Sequence, residues 1–202
     1  CLVLEVSFAG RRSIFNELSR MVTGSIKVRY IDSSVITAMG NSVGLLDYYV
    51  DNVECIGNCI KVGKNIGPVE LMGYLINAVV KMLNGGLTKM GIDYGTERTG
   101  VVLVYDNTPL MGSVLTPSGL MRLLRLINSK LDSVAVGDSP AVHSFLGEGI
   151  GDLCAIAGSV LIVDELESSR LRGWVSVNGL SDDVADAYAI ALTKPKVTIR
   201  CP

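Results

Sequence analysis

Met90-Gly91-Ile92-Asp93-Tyr94-Gly95-Thr96-Glu97-Arg98-Thr99-Gly100-Val101 is the stretch that decides the fold of this chain. An apolar run that ends on an aspartate and then a glycine turn reads as a strand bringing a carboxylate to the end of a sheet. Gly95 and Gly100 permit tight turns and the close approach of a phosphate or a neighbouring strand. The plainer alternative is a turn aspartate between two strands, and spacing alone weighs the two equally.

Working downstream, residues 101–105 and 110–115 read as two further strands joined by the turn Asp106-Asn107-Thr108-Pro109. Pro117 opens a helix with Leu120, Leu123, Leu124 and Ile127 on one side. Residues 133–136 form a buried-type strand ending at Gly137-Asp138, and a helical region follows over about 140–157. Residues 160–163 make the fifth strand, which ends at Asp164-Glu165, and 182–192 is a closing helix rich in alanine. This order predicts an α/β fold over 88–202, a ribonuclease-H-like mixed five-stranded sheet flanked by helices, with ligands gathering beyond the strand ends.

Upstream, residues 1–87 read as a small α/β unit of unassigned role. The pattern predicts a strand at 2–8, a helix at 12–22 with Ile14, Leu18 and Met21 on one face, and a strand at 26–31. Residues 34–50 are weakly helical, interrupted by Gly40 and Gly44, and 53–62 reads as a strand or hairpin around Gly57-Asn58. A helix opens at Pro68 and runs to about 83, and Asn84-Gly85-Gly86 is the candidate boundary.

Composition narrows the function classes. Apolar residues make up 49% and charged residues 19%, which excludes a disordered or fibrous chain. The longest apolar stretch, 71–83, is cut by Lys81 and is too short to span a bilayer. The first residues read as a strand and not as a targeting segment, so the expectation is a cytoplasmic protein with no membrane partner. Five cysteines do not suggest a disulfide framework, and a chain this size needs none. With His143 the only histidine, neither a zinc site at Cys55 and Cys59 nor triad hydrolysis is favoured. The net charge of −2 does not suggest a broad basic clamp on nucleic acid. It is also uneven: residues 91–202 hold 13 acidic groups against 9 basic ones.

The acids of that half fall at strand ends and on the last helix. Asp183 and Asp186 share one face near the helix start, where the dipole favours them, and Asp182 is a candidate N-cap. Three acids in a first turn are ordinary, but Asp186 stands among alanines, where a buried carboxylate needs a partner or a metal. Asp164, Glu165 and Asp138 are the remaining candidates. Oxygen ligands without histidine or cysteine suit Mg²⁺ or Mn²⁺, and two such ions would activate water and steady the leaving oxygen in phosphodiester hydrolysis.

The stretch Gly91–Val101 resembles the opening motif of the YqgF family of Holliday-junction-resolvase-like proteins. Val134-Ala135-Val136-Gly137 resembles that family's strand-four motif, and Val163-Asp164-Glu165-Leu166-Glu167-Ser168-Ser169 its Asp-Glu-Arg segment, with Leu166 in place of the arginine. Asp183-Val184-Ala185-Asp186-Ala187-Tyr188-Ala189-Ile190-Ala191-Leu192 is more similar to the last catalytic helix of RuvC resolvases. The resemblance covers roughly 88–194. It implies a metal-dependent nuclease acting on branched DNA or structured RNA, with Asp93 bridging metal and Asp183 and Asp186 as the acidic pair of the last helix. For the fourth acid the YqgF pattern implies Glu165, whereas the RuvC pattern implies a glutamate near the end of strand four, where this chain offers only Asp138. Glu165 is preferred, and Asp164 and Asp138 stay candidates, Asp138 as a metal ligand. Resolvases of this class resemble paired enzymes, so a homodimer is expected. The departure at Leu166 puts the family's nucleic-acid contacts in doubt.

Arg98, Arg170, Arg172 and Lys194 are the basic groups placed to meet a phosphate backbone. Trp174 offers a base-stacking ring, although partial burial is the expectation for it, and Arg122 and Arg125 read as surface charges. Two other classes remain. One is a non-catalytic nucleic-acid-binding or assembly protein on the same fold. The other is an actin-like phosphate or ATP binder, which shares the aspartate-glycine-threonine turn but needs a duplicated domain.

Overall fold

Strand alternation and glycine placement build a four-stranded, a two-stranded and a six-stranded sheet, and the two larger ones share a core. The structure is a computed structural model and describes residues 3–83, 85–175 and 179–202. Residue 2 of the first expected strand and Asn84 of the expected boundary lie outside them. Among the described residues no helix is long and apolar enough to cross a membrane.

The first unit contains β1 (Leu4–Ala9), α1 (Arg12–Met21), β2 (Ile26–Tyr30), β3 (Val35–Ala38), β4 (Ser42–Leu46), β5 (Glu54–Gly57), β6 (Cys59–Lys61) and α2 (Pro68–Met82). Strands β2-β1-β4-β6 form a parallel sheet in that order, and β3 pairs in parallel with β5. Two expectations are corrected here. The segment 34–50 is two strands and not a helix: Val35-Ile36-Thr37 is β-branched, which favours extended backbone. Gly40 turns at φ 62°, a conformation L side chains rarely adopt. The segment 53–62 is not a hairpin, because β5 and β6 stack on β3 and β4 as a second parallel rung, with Gly57 at φ 100° forming the corner. Disulfides, which the chain's size did not require, join Cys55 to Cys59 and Cys154 to Cys201.

The second unit contains β7 (Thr88–Tyr94), β8 (Thr99–Tyr105), β9 (Thr108–Leu115), α3 (Pro117–Leu126), β10 (Leu131–Gly137), α4 (Pro140–Ile156), β11 (Ala157–Val163), α5 (Glu165–Arg172), α6 (Asp182–Leu192) and β12 (Pro195–Arg200). Its sheet runs β12-β11-β10-β7-β8-β9. Strands β10 and β11 run parallel to β7, while β8 is antiparallel to both of its neighbours. The order of the five expected strands, with the second reversed, is ribonuclease-H-like. A sixth strand was not expected: β12 pairs antiparallel with β11, with Val197 opposite Ile162 and Ile199 opposite Val160. Its alternation is brief and starts at a proline, which an edge strand tolerates. The first sheet has a different order and no reversed strand, so the chain is not the duplication an actin-like protein needs.

Each face of β7 and β8 has its own partner. Met90, Ile92, Val101 and Leu103 point into the main core with Leu75 of α2 and Leu120 and Leu123 of α3. That core also takes in Leu4, Phe8 and Leu18, so it runs through both units. The opposite face carries Gly91, Asp93, Gly100 and Val102, and α6 lies on it through Val184, Ala187 and Ala191. Glycine is required at two of these positions. A Cβ on Gly91 would stand 2.1 Å from the Ala187 carbonyl oxygen, and one on Gly100 would stand 2.0 Å from that of Asp183. The alanines of α6 and the glycines of the sheet thus bring two backbones together. Lys89 donates to the Ala191 carbonyl at 2.9 Å, and the Tyr188 hydroxyl donates to that of Asn107 at 2.7 Å. The first unit covers the free edge of β9: the Thr23 N–H donates to Leu110 O at 2.9 Å, and Val22 bridges Met111. Covering an edge strand in this way blocks pairing with other chains.

Candidate active site

Four acids converge on the α6 face where β7, β10 and β11 end. Asp93 arrives on β7, two residues beyond Gly91 and therefore on the same face. Asp186 projects from the second turn of α6, and Asp183 from the first. Glu165 is the first residue of α5 and leans over Gly137, its Oε1 3.2 Å from where a Cβ there would stand. Asp93, Glu165 and Asp186 line one cavity of about 280 Å³ with Ser168, Ser169, Arg172, Ala189 and Ile190. Asp183 is not in that lining, but its charge acts on Asp93.

Burial and neighbouring charge both act on Asp93. Its carboxyl is pushed up to about 6, first by burial and then by the charges of Asp186, Asp183 and Glu165. No cation pairs with it among the described residues. The last-helix acids are relieved by arginines. Arg98, from the β7–β8 loop, pairs with Asp183. Arg172 pairs with Asp182 through Nη2 at 2.8 Å, and its Nε lies 2.8 Å from Asp186 Oδ1. That second contact is charge pairing without a hydrogen bond, since the Nε–H finds no aligned acceptor.

Arginine thus pairs with the acids of the last helix, and among the described residues no cation pairs with Asp93 or Glu165, although Arg172 lines the same cavity. Among the described residues no three acids, cysteines or histidines stand together as a ready cation cage. The donor chemistry nevertheless fits a hard divalent cation: the converging side chains are carboxylates, and their mutual repulsion at Asp93 is what such an ion relieves.

The other expected residues fall outside the cavity. Asp138 directly follows β10 but binds Lys196 Nζ and His143 Nε2, both at 2.7 Å, and these partners hold its carboxyl below the usual range. Asp164 is the N-cap of α5, accepting from the N–H groups of Leu166 and Glu167 at 2.8 and 3.1 Å. Ser181, and not Asp182, holds the N-cap position of α6. Arg170 and Lys194 are exposed and have no acidic partner among the described residues. Arg122 and Arg125 pair with Glu70 and Asp152. Trp174, expected to be partly buried, is 89% exposed.

Ser168, Ser169 and the inward position of Arg172 escape a reading that stops at a motif. The signal was present: Asp164 followed three residues later by Glu167 is a helix-start pattern, and a helix from 165 places 165, 168, 169 and 172 on one face.

No family model matches this chain, and neither does any curated protein. Among solved structures it is similar to RuvC of T. thermophilus in complex with a Holliday junction substrate. The similarity is at 20% identity with a TM-score of 0.36, over 52% of this chain and 90% of that one. The ribonuclease-H-like assignment stands on strand order and direction.

Proposed function

We propose that this protein is a divalent-metal-dependent nuclease that hydrolyses phosphodiester bonds in branched DNA or structured RNA. The observation that carries the reading is the convergence of Asp93, Glu165 and Asp186, from three separate elements, on one cavity beyond the strand ends. A fold gains no stability from gathering carboxylates that raise one another's charge cost, as they do at Asp93, and such a cluster at a cleft is a mark of function. Asp93, Glu165 and Asp186, with Asp183 beside them, would hold Mg²⁺ or Mn²⁺. Bound there, the metal supplies an activated water and charge stabilisation at the leaving oxygen. Arg172 holds Asp186 in place, and Arg98 holds Asp183 while its exposed side chain faces incoming phosphate. Arg170 and Lys194 extend the positive charge outside the cavity.

A second reading, a non-catalytic nucleic-acid binder, is favoured by the arginines already neutralising Asp183 and Asp186. The resemblance to paired resolvases supports a homodimer as part of the nuclease reading. Residues 1–87 serve in either case as the cover of the β9 edge. Incubating labelled four-way junctions, single strands and structured RNAs with Mg²⁺ or Mn²⁺ separates the two readings. The nuclease reading requires metal-dependent cleavage that Asp93→Asn abolishes, whereas binding of the same strands without any cleavage selects the second.

A further inference from the structure

Helix α5 shows two different faces to its surroundings. Glu165, Ser168, Ser169 and Arg172 look into the acidic cavity. One residue further round, Leu166, Arg170 and Trp174 follow at intervals of four along the helix and into the turn that ends it. Leu166 is 72% exposed, Arg170 is exposed, and Trp174 is the most exposed of the large apolar side chains at 89%. A tryptophan offers more apolar surface than almost any other side chain, so leaving one in water beside a cleft is informative.

The turn carrying Trp174 is tied to the site. Its backbone N–H donates to Leu171 O at 2.9 Å, and Arg172 Nη1 donates to the carbonyl of the next residue, Val175, at 3.2 Å. The same guanidinium pairs with Asp182 and Asp186. One arginine therefore links the indole's support to the acids of the cavity.

We infer that Leu166, Arg170 and Trp174 form a stacking platform for an unpaired nucleobase of a strand whose backbone enters the acidic cavity. This rests on the nuclease reading above and gives it a substrate preference: strands with unpaired bases, at a branch point or in a single-stranded arm, over uninterrupted duplex. The occupant follows from the chemistry of the stripe. An exposed indole accepts the face of any base, and the guanidinium of Arg170, four residues back, meets the phosphate or stacks in turn. A protein partner would call for a continuous apolar patch, and here Glu167 and Arg170 interrupt the apolar surface.

Trp174 is the only tryptophan, so its emission reports on the platform alone. Strands are titrated onto the Asp93→Asn protein in Mg²⁺, following strand anisotropy and tryptophan emission together. The probes are a single-stranded DNA, the same length as duplex, a four-way junction with an unpaired base at its branch point, and an abasic strand. The expected result is quenching by the single strand and the junction, and none by the duplex or abasic strand. Trp174→Ala added to that protein weakens single-strand binding by about 5- to 100-fold, while Trp174→Phe retains most of it and duplex binding is unchanged. Anisotropy showing binding with unchanged emission, or equal affinity for the Trp174→Ala protein, overturns the platform and leaves the nuclease reading standing. Failure of this protein and of the unsubstituted one in Mg²⁺ to bind any strand overturns both.

Discussion

Two aspartates leave parallel strands toward clefts in this molecule, and their surroundings treat them oppositely. Asp47, just beyond β4 in the first sheet, has 0% exposure and is fully engaged. It accepts from Arg11 N–H and Nε at 2.9 and 2.7 Å and from Nη2 at 2.9 Å. Burial alone would raise its pKa, but the hydrogen bonds from Arg11 and from the Tyr48 backbone outweigh that and lower it. Asp93, near the end of β7, pairs with no cation among the described residues, and burial together with the charges of three acids raises it to about 6. The first sheet uses its aspartate to hold a loop: a Cβ on Gly10 would stand 2.1 Å from Asp47 Cβ, so loop and carboxylate are fitted together. The second sheet gives its aspartate no counter-ion among the described residues. A carboxylate at a strand end is therefore not a functional signal by itself, and the absence of a counter-ion is what separates the two.

The largest expected effect falls on activity. Asp93→Asn should lower cleavage by at least about 10³-fold, equivalent to about 4 kcal/mol of barrier, measured as single-turnover rates on the preferred strand. Asp47→Asn should leave that rate within about 3-fold, which sharpens the contrast.

Stability should show the reverse. Asp47→Ala leaves Arg11 and its N–H without their acceptor, and should cost about 2–4 kcal/mol by urea denaturation. Asp93→Asn should stabilise at pH 7 by at most about 3 kcal/mol, less to the extent that water screens the site. A destabilising Asp93→Asn would break the comparison.

The pH dependences follow with opposite sign. A raised carboxyl binds its proton more tightly in the folded state, so the Asp93 contribution weakens stability as pH climbs from about 4 to about 6. The lowered Asp47 carboxyl contributes stability that is present above the ordinary carboxylate range and lost on acidification below it. Denaturation midpoints from pH 3 to 7 for each single variant separate the two. The smallest effect is at Asp138, whose partners are exposed lysine and histidine: Asp138→Asn should move neither the urea midpoint nor the cleavage rate measurably.

Much of this contrast was readable in the sequence of the second unit. Strand and helix periods are long there, glycines mark real close approaches, and 182–192 matches α6 at both ends. Asp93, Asp183 and Asp186 could be grouped because strand alternation and helical spacing are local rules. The first unit was less legible. Residues 35–38 and 42–46 are short strands whose pairing is with distant segments, so neither length nor period declares them. Asp47 passed unremarked because its partner lies 36 residues away, at the start of α1. Arg98 and Arg172 were legible as basic groups near the acids, but their pairing was not: the contact of Arg98 with Asp183 spans 85 residues and leaves no trace in spacing.

The most direct test is calorimetric titration of Mn²⁺ into the intact protein and into Asp93→Asn, at pH 7 and at pH 5. The account predicts binding at pH 7 that weakens at least about 10-fold at pH 5, as the carboxyl near 6 takes its proton, and that is lost in Asp93→Asn. Mn²⁺ binding indifferent to both the pH change and the substitution, or no binding at pH 7, would contradict it.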